Sequence, residues 1–253
     1  MSDKEELLPT LEPKSERVHR LHRILQEPWA YTLLLRVVGR AAGQREFFTH
    51  HAMIPRDARV LEIGCGDGKN IEHMPMGVEY TGCDPNPKYI EHARRRYGAK
   101  GRFVCAGAED MERLSLGRFD VVLVVSVLHH LDDAQVVALA KGARAALRPG
   151  GRFLTWEPCW RPSQHWFDRF MLSLDRGRYV RTADDYVRLL GTTLGNIEFR
   201  FLMTPKHLWP QSGCILEALD VAGDPDAPRQ TEEPGIIPPV NGFITGEMHN
   251  GGR

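Results

Sequence analysis

Apolar positions along the chain follow two rhythms, and the change comes near residue 57. Before it, stretches 15–25 and 29–42 carry apolar residues at helical spacing: Val18, Leu21 and Leu25, then Leu33, Leu34, Val37 and Val38. Pro28 separates them. Residues 1–56 therefore read as an N-terminal helical arm. Such an arm is either a packing or dimer surface or a lid over a site. From Arg59 onward, short apolar runs bounded by Gly, Pro or Asp alternate with helical stretches. Strands are predicted at 59–63, 79–83, 102–105, 120–126 and 151–156, with two later ones at 197–203 and 212–218.

The helices between them carry their own punctuation. Asn86 before Pro87 opens one, and Gly98 closes it. Asp132 and Gln135 form a capping-box pair ahead of Val136, Leu139, Ala140, Ala143 and Leu147. Thr182 with Asp185 opens another helix, which Gly191 is positioned to close. Strand–helix alternation implies an α/β domain: a mainly parallel sheet with helices on both faces. Ligands on such sheets sit at the carboxyl ends of the strands, near the switch in strand order. Residues 221–253 hold five prolines and six glycines and read as an irregular C-terminal tail.

Composition narrows the function classes. Lys+Arg and Asp+Glu number 33 each, so the net charge is zero and a general polyanion binder is disfavoured. The five cysteines are widely spaced and none forms a CxxC, which argues against a disulfide framework or zinc site and fits a reducing cytosol. The uncharged runs 121–131 and 234–246 are too short to span a bilayer, and the N-terminus lacks a signal-peptide pattern.

The most informative stretch is the loop after the first strand, where Gly64, Gly66 and Gly68 follow Val60–Ile63. Glycine permits positive φ and close approach of a ligand to the backbone, and amides at a helix start face an anionic group. Asp84 ends the second strand, 20 residues after Gly64. That spacing suits an acidic residue that accepts from ribose hydroxyls; capping of the following helix is its other reading.

With LEIGCGDG at 61–68, GCDPNP at 82–87, AGAED at 106–110, FDVVLVVSVLHHL at 119–131 and LRPGGRF at 147–153, the chain resembles the class I S-adenosylmethionine-dependent methyltransferases over about residues 57–220. The resemblance implies a Rossmann-like, doubly wound sheet of about seven strands with the last antiparallel. It implies S-adenosylmethionine as cofactor. It places the methionine part on the loop from Glu62 through Gly64, Cys65 and Gly66 to Gly68, with Ser126 lining the same side. Asp84 would bind the ribose, Pro85 and Asn86 would lie beside the adenine, and Ala108 and Glu109 would contact its edge. Gly107 stands where relatives often carry an acidic residue, and Glu109 or Asp110 is the substitute. A nicotinamide dehydrogenase is the weaker rival.

Methyl transfer to a hydroxyl or carbon acid needs a base, whereas an amine needs only to be neutral. His129 and His130, after the fourth strand, and Glu157, after the fifth, are the candidates. Their alternatives are loop shaping for the histidines and, for Glu157, a buried carboxylate paired to an Arg. Residues 156–181 form an aromatic-rich insertion expected to cover the acceptor. Trp156, Trp160, His165, Trp166 and Tyr179 would contact a planar or apolar molecule. Arg176, Arg178 and Arg181 either grip an anionic group or pair with Asp175, Asp184 and Asp185. No metal triad stands out. The reading is a cytosolic methyltransferase of a small organic acceptor, aromatic or anionic in character. RNA or protein methylation and a catalytically inactive cofactor-binding scaffold are its alternatives, and the N-terminal helices are a possible dimer surface.

Overall fold

The computed structural model describes residues 40–107, 110, 116–162, 164–173, 177–203 and 212–219. The helical stretch 15–25, residues 29–39 of the stretch 29–42, and the tail 221–253 lie outside them. In chain order the elements are α1 (Arg40–Glu46, continuing as a π-helical turn Phe47–His51), β1 (Arg59–Ile63), a 3-10 turn (Lys69–His73), β2 (Glu79–Asp84), α2 (Pro87–Tyr97), β3 (Gly101–Cys105) and β4 (Phe119–Val125). A second 3-10 turn (Leu128–His130) leads to α3 (Asp133–Ala146), β5 (Leu147–Trp160), α4 (Trp166–Ser173), β6 (Arg181–Thr182), α5 (Ala183–Leu194), β7 (Glu198–Met203) and β8 (Ser212–Ala218).

The sheet order is β3-β2-β1-β4-β5-β8-β7, with the two-residue β6 added on β5. Strands β1 to β5 pair in parallel, and β8 runs antiparallel between β5 and β7. The expected sheet and its antiparallel last strand are present, with β6 as an extra. Central strands β1 and β4 are covered on both faces, so their residues are mostly buried and largely apolar, with Glu62 the buried exception in β1. Alternation then sorts their side chains. Leu61, Ile63, Val122, Val124 and Phe153 pack with Leu139, Ala143, Tyr186 and Leu190 of α3 and α5. Val60, Val121, Leu123 and Leu154 pack with Phe47, Phe48, Ile90, Ala93 and Tyr97 from the α1 turn and α2.

Three helix starts follow the predicted chemistry: the Asp132–Gln135 capping box forms, the Asn86 side chain accepts from Lys88 N–H, and the Thr182 hydroxyl accepts from Asp185 N–H. The end of α5 differs. Gly191 lies inside it, and the helix runs on to a buried Leu194 before Gly195, at φ 86°, ends it. Burying Leu194 favours the extra turn, and Gly195 takes up the left-handed backbone that follows. Strand β5 also outruns its predicted end by four residues, because Cys159 and Trp160 pair with Arg181 and Thr182. Trp156 and Trp160 are therefore strand residues, not part of a separate insertion. No helix among the described residues is long and apolar enough to cross a membrane.

Candidate cofactor and active site

Strand order reverses between β1 and β4, and both strands end their carboxyl sides at one crevice. Three glycines shape the β1 end, each for its own reason. Gly64, at φ 77°, lies so close to the post-β4 loop that a Cβ would strike Val127 at 2.5 Å. Gly68, also at φ 77°, would strike the Phe103 ring at 2.6 Å and Ala93 at 3.0 Å. Gly66, at φ 54°, has nothing within 4 Å of its Cβ position, so it faces open space. The first and third glycines let elements pack, and the middle one leaves room for a ligand. Gly64 and Cys65 amides donate to Cys83 carbonyl at 2.8 and 3.0 Å, tying the loop to β2.

A 260 Å³ cavity opens above this loop, lined by Gln44, Gly64 to Asp67, Lys69, Asn70, Val125, Ser126 and Trp156. Ser126 follows β4 at φ 57°, an uncommon backbone for a non-glycine residue, and its amide donates to Trp156 carbonyl at 2.9 Å. Trp156 stacks on Phe47, with ring centroids 5.5 Å apart, which brings the α1 turn to the same wall. Cys65 lines the cavity as well. Burial pushes its thiol well above the usual range and that of Cys83 up to about 12, so both keep their protons and are poor nucleophiles beside an electrophilic cofactor.

Asp84 ends β2 with its carboxylate beside the loop: one oxygen accepts from Gly66 N–H at 3.0 Å, the other from Asn86 N–H at 2.8 Å. Asp84 orders the turn into α2, while Asn86 is the helix cap. A carboxylate carries about four lone-pair sites, so capacity remains for ribose hydroxyls. Pro85 lies between these two residues. Ala108 and Glu109 lie outside the described residues, and Asp110 accepts from Gly107 N–H at 3.0 Å.

Glu62 stands beneath the loop, fully buried. Its carboxylate accepts from the Tyr80 hydroxyl and from Asn70 Nδ2, and Asn70 Oδ1 in turn accepts from Gln44 Nε2. Sequence reasoning placed Glu62 in the methionine-binding stretch but missed Gln44, Asn70 and Tyr80. Burial raises the Glu62 carboxyl from its ordinary 4.5 to about 7, while the bonds from Tyr80 and Asn70 pull it down. A carboxyl that holds its proton more tightly in the folded state gives stability that is complete below pH 4.5 and is lost as pH rises to 7. Glu62→Gln has no such proton to lose. Thermal melts should show it keeping its melting temperature better than wild type over that range, and parallel curves would contradict this.

The turn after β4 is held from both sides. Glu157, 1% exposed, accepts from Val127 N–H at 2.8 Å, Leu128 N–H at 3.0 Å and the Thr155 hydroxyl at 3.3 Å, and pairs with His129 Nδ1 at 2.7 Å. Opposite it, the Arg181 guanidinium donates to the carbonyls of Leu128, Leu131 and Tyr179 and pairs with Asp133 at 2.7 Å. Glu157 thus has loop amides and His129 as partners, not the arginine expected of a buried carboxylate. Arg181 pairs with Asp133, not with Asp184 or Asp185. His129 is buried, whereas His130 is exposed with its ring 4.0 Å from that of His129.

Of the residues expected at the acceptor, only Trp156 lines the cavity. Trp160 is half-buried under the Arg169 guanidinium, and His165, Trp166, Arg178 and Tyr179 are exposed. Arg176 lies outside the described residues.

Comparison with known proteins agrees with this geometry. The family described as "Methyltransferase domain" matches residues 60–151. Human thiol S-methyltransferase TMT1B is 37% identical over 112 residues, which cover 42% of this chain and 45% of that protein. The chain therefore spans less than half the length of that relative. The ubiquinone biosynthesis O-methyltransferase of Methylocella silvestris is 31% identical over 172 residues, covering 60% of this chain and 66% of it. A geranyl diphosphate methyltransferase structure in complex with SAM superimposes with a TM-score of 0.56 at 15% identity, covering 77% of this chain and 91% of that one, a likeness of fold. The open face at Gly66, the cavity beside it and the Asp84 carboxylate fit S-adenosylmethionine. With the sheet order and these similarities, they support a class I S-adenosylmethionine-dependent methyltransferase, with the matched methyltransferase domain spanning residues 60–151.

Proposed function

We propose that this protein transfers a methyl group from S-adenosylmethionine to a small organic acceptor, aromatic or anionic in character. The observation that carries the proposal is the cavity between the glycine loop and the post-β4 turn, with Trp156 and Ser126 as its wall. The cofactor supplies a methyl group made electrophilic by its sulfonium. The chain's task is to hold that group, align a nucleophile with it and exclude water. Gly64 to Gly68 and Asp84 hold it, and Trp156, backed by the buried Phe47, gives the cavity an apolar wall. Similar proteins are named for S- and O-methylation, which supports a small acceptor over RNA or protein.

In this reading Glu157 is a positioning group, since both its oxygens hold the turn. His130, exposed beside the buried His129, is the better placed of the two to take a proton from a hydroxyl acceptor. A thiol ionises without such help near its ordinary pKa of about 8.5. Within the arm 1–56, the described residues from 40 bring Gln44 to the cavity and Phe47 behind Trp156, which supports a covering role; 57–220 form the catalytic domain. The five free cysteines fit a reducing, cytosolic setting.

The test uses methyl-labelled cofactor with a panel of thiols, phenols and amines. Enzyme-dependent label in an extractable small product is expected, and His130→Ala should slow phenols more than thiols. Label confined to precipitated protein or RNA would assign a macromolecular acceptor instead. Cofactor binding without any transfer would favour the scaffold reading.

A further inference from the structure

We propose that Gln44 is a cofactor-positioning residue whose side-chain carbonyl receives the α-ammonium of S-adenosylmethionine. This rests on the cofactor reading above and adds a contact from outside the glycine loop. Glu62, when ionised, only accepts. Burial raises the Tyr80 phenol well above its usual range, so Tyr80 keeps its proton and donates to one Glu62 oxygen. Asn70 must then use its Nδ2 on the other oxygen, which turns its Oδ1 outward. Gln44 meets that oxygen with its Nε2. Gln44 lines the cavity, and with its Nε2 engaged by Asn70 its carbonyl oxygen is the acceptor it can offer a ligand there. Above about pH 7, where Glu62 is ionised, this chain fixes, two side chains away, which end of Gln44 the ligand meets.

The backbone carrying Gln44 is firmly held. Phe47, three residues on, stacks on Trp156 and is fully buried. Arg200 donates to His51 carbonyl at 3.2 Å, Arg152 donates to Ala52 carbonyl, and Glu217 pairs with both arginines. A side chain on so fixed a turn offers its acceptor at little cost in lost freedom. The ligand end also matches the wall in charge. Asp67 and Lys69 line the same cavity, so a zwitterionic amino-acid group meets both signs there.

The test measures calorimetric affinity of the full chain for S-adenosylhomocysteine and for its analogue lacking only the α-amino group. A hydrogen bond to a charged group is worth about 1.5–3 kcal/mol, so wild type should prefer the natural compound by about tenfold or more. Gln44→Leu, similar in size but without the acceptor, should abolish the preference by losing affinity for the amino-bearing ligand alone. Equal loss for both ligands would assign Gln44 a structural role and overturn the proposal. So would a wild type indifferent to the amino group, a result that needs no variant to fold. If wild type binds neither ligand, the cofactor reading itself fails. Binding without dependence on the amino group defeats only the Gln44 assignment.

Discussion

Glu157→Ala should lower unfolding free energy by about 4 kcal/mol, read from denaturant unfolding of wild type and variant under identical buffer. The size follows from the number of groups it strands. The amides of Val127 and Leu128, the His129 ring and the Thr155 hydroxyl all end on this carboxylate, which is 1% exposed. Each buried polar group left without a partner costs about 1–3 kcal/mol, less where the loop relaxes or water enters. Glu157→Gln should lose about 1–2 kcal/mol, because its carbonyl still serves the two amides and the imidazole can change tautomer to accept from the new N–H. If Glu157 were instead a loosely held base, alanine would reduce turnover and leave stability close to wild type. Equal stability of the three proteins would therefore overturn the positioning role.

The second large effect concerns the cofactor itself. Asp84→Ala should weaken S-adenosylhomocysteine binding by about a hundredfold in calorimetric titration, the loss of about two charge-assisted hydrogen bonds to ribose hydroxyls. Asp84→Asn should fall between, since its amide keeps one accepting oxygen. Stability should change less than for Glu157, because Gly66 and Asn86 amides lie near the surface, where water can replace the lost acceptor. Unchanged affinity in Asp84→Ala would leave its carboxylate a turn-forming group only.

The contrast between these residues explains what was legible in the sequence. Asp84 and the three glycines are written in local spacing, because a strand, a tight loop and a second strand fix their separation. The same holds for the Asp132 and Asn86 caps, which act within one turn of chain. Glu62 was legible as part of the loop, but its partners were not. Gln44, Asn70 and Tyr80 carry no motif and meet only when α1, the 3-10 turn and β2 pack together. Arg181 illustrates the opposite error. Its charged neighbours suggested surface pairs or an anion grip, but pairing of β6 with β5 turns it inward onto Leu128, Leu131 and Asp133. Glu157 follows the same logic: its position after an apolar strand was visible, while the loop amides that occupy it belong to a different strand's end.

The central claim is that S-adenosylmethionine lies across the crevice between β1 and β4, methionine end in the cavity and ribose on Asp84. The most direct measurement is a crystal structure with S-adenosylhomocysteine. The homocysteine group is expected among Gln44, Asn70 and Trp156, the sulfur near Ser126, and both ribose hydroxyls on the Asp84 carboxylate. A ligand bound elsewhere, or bound with its ribose turned away from Asp84, would contradict it.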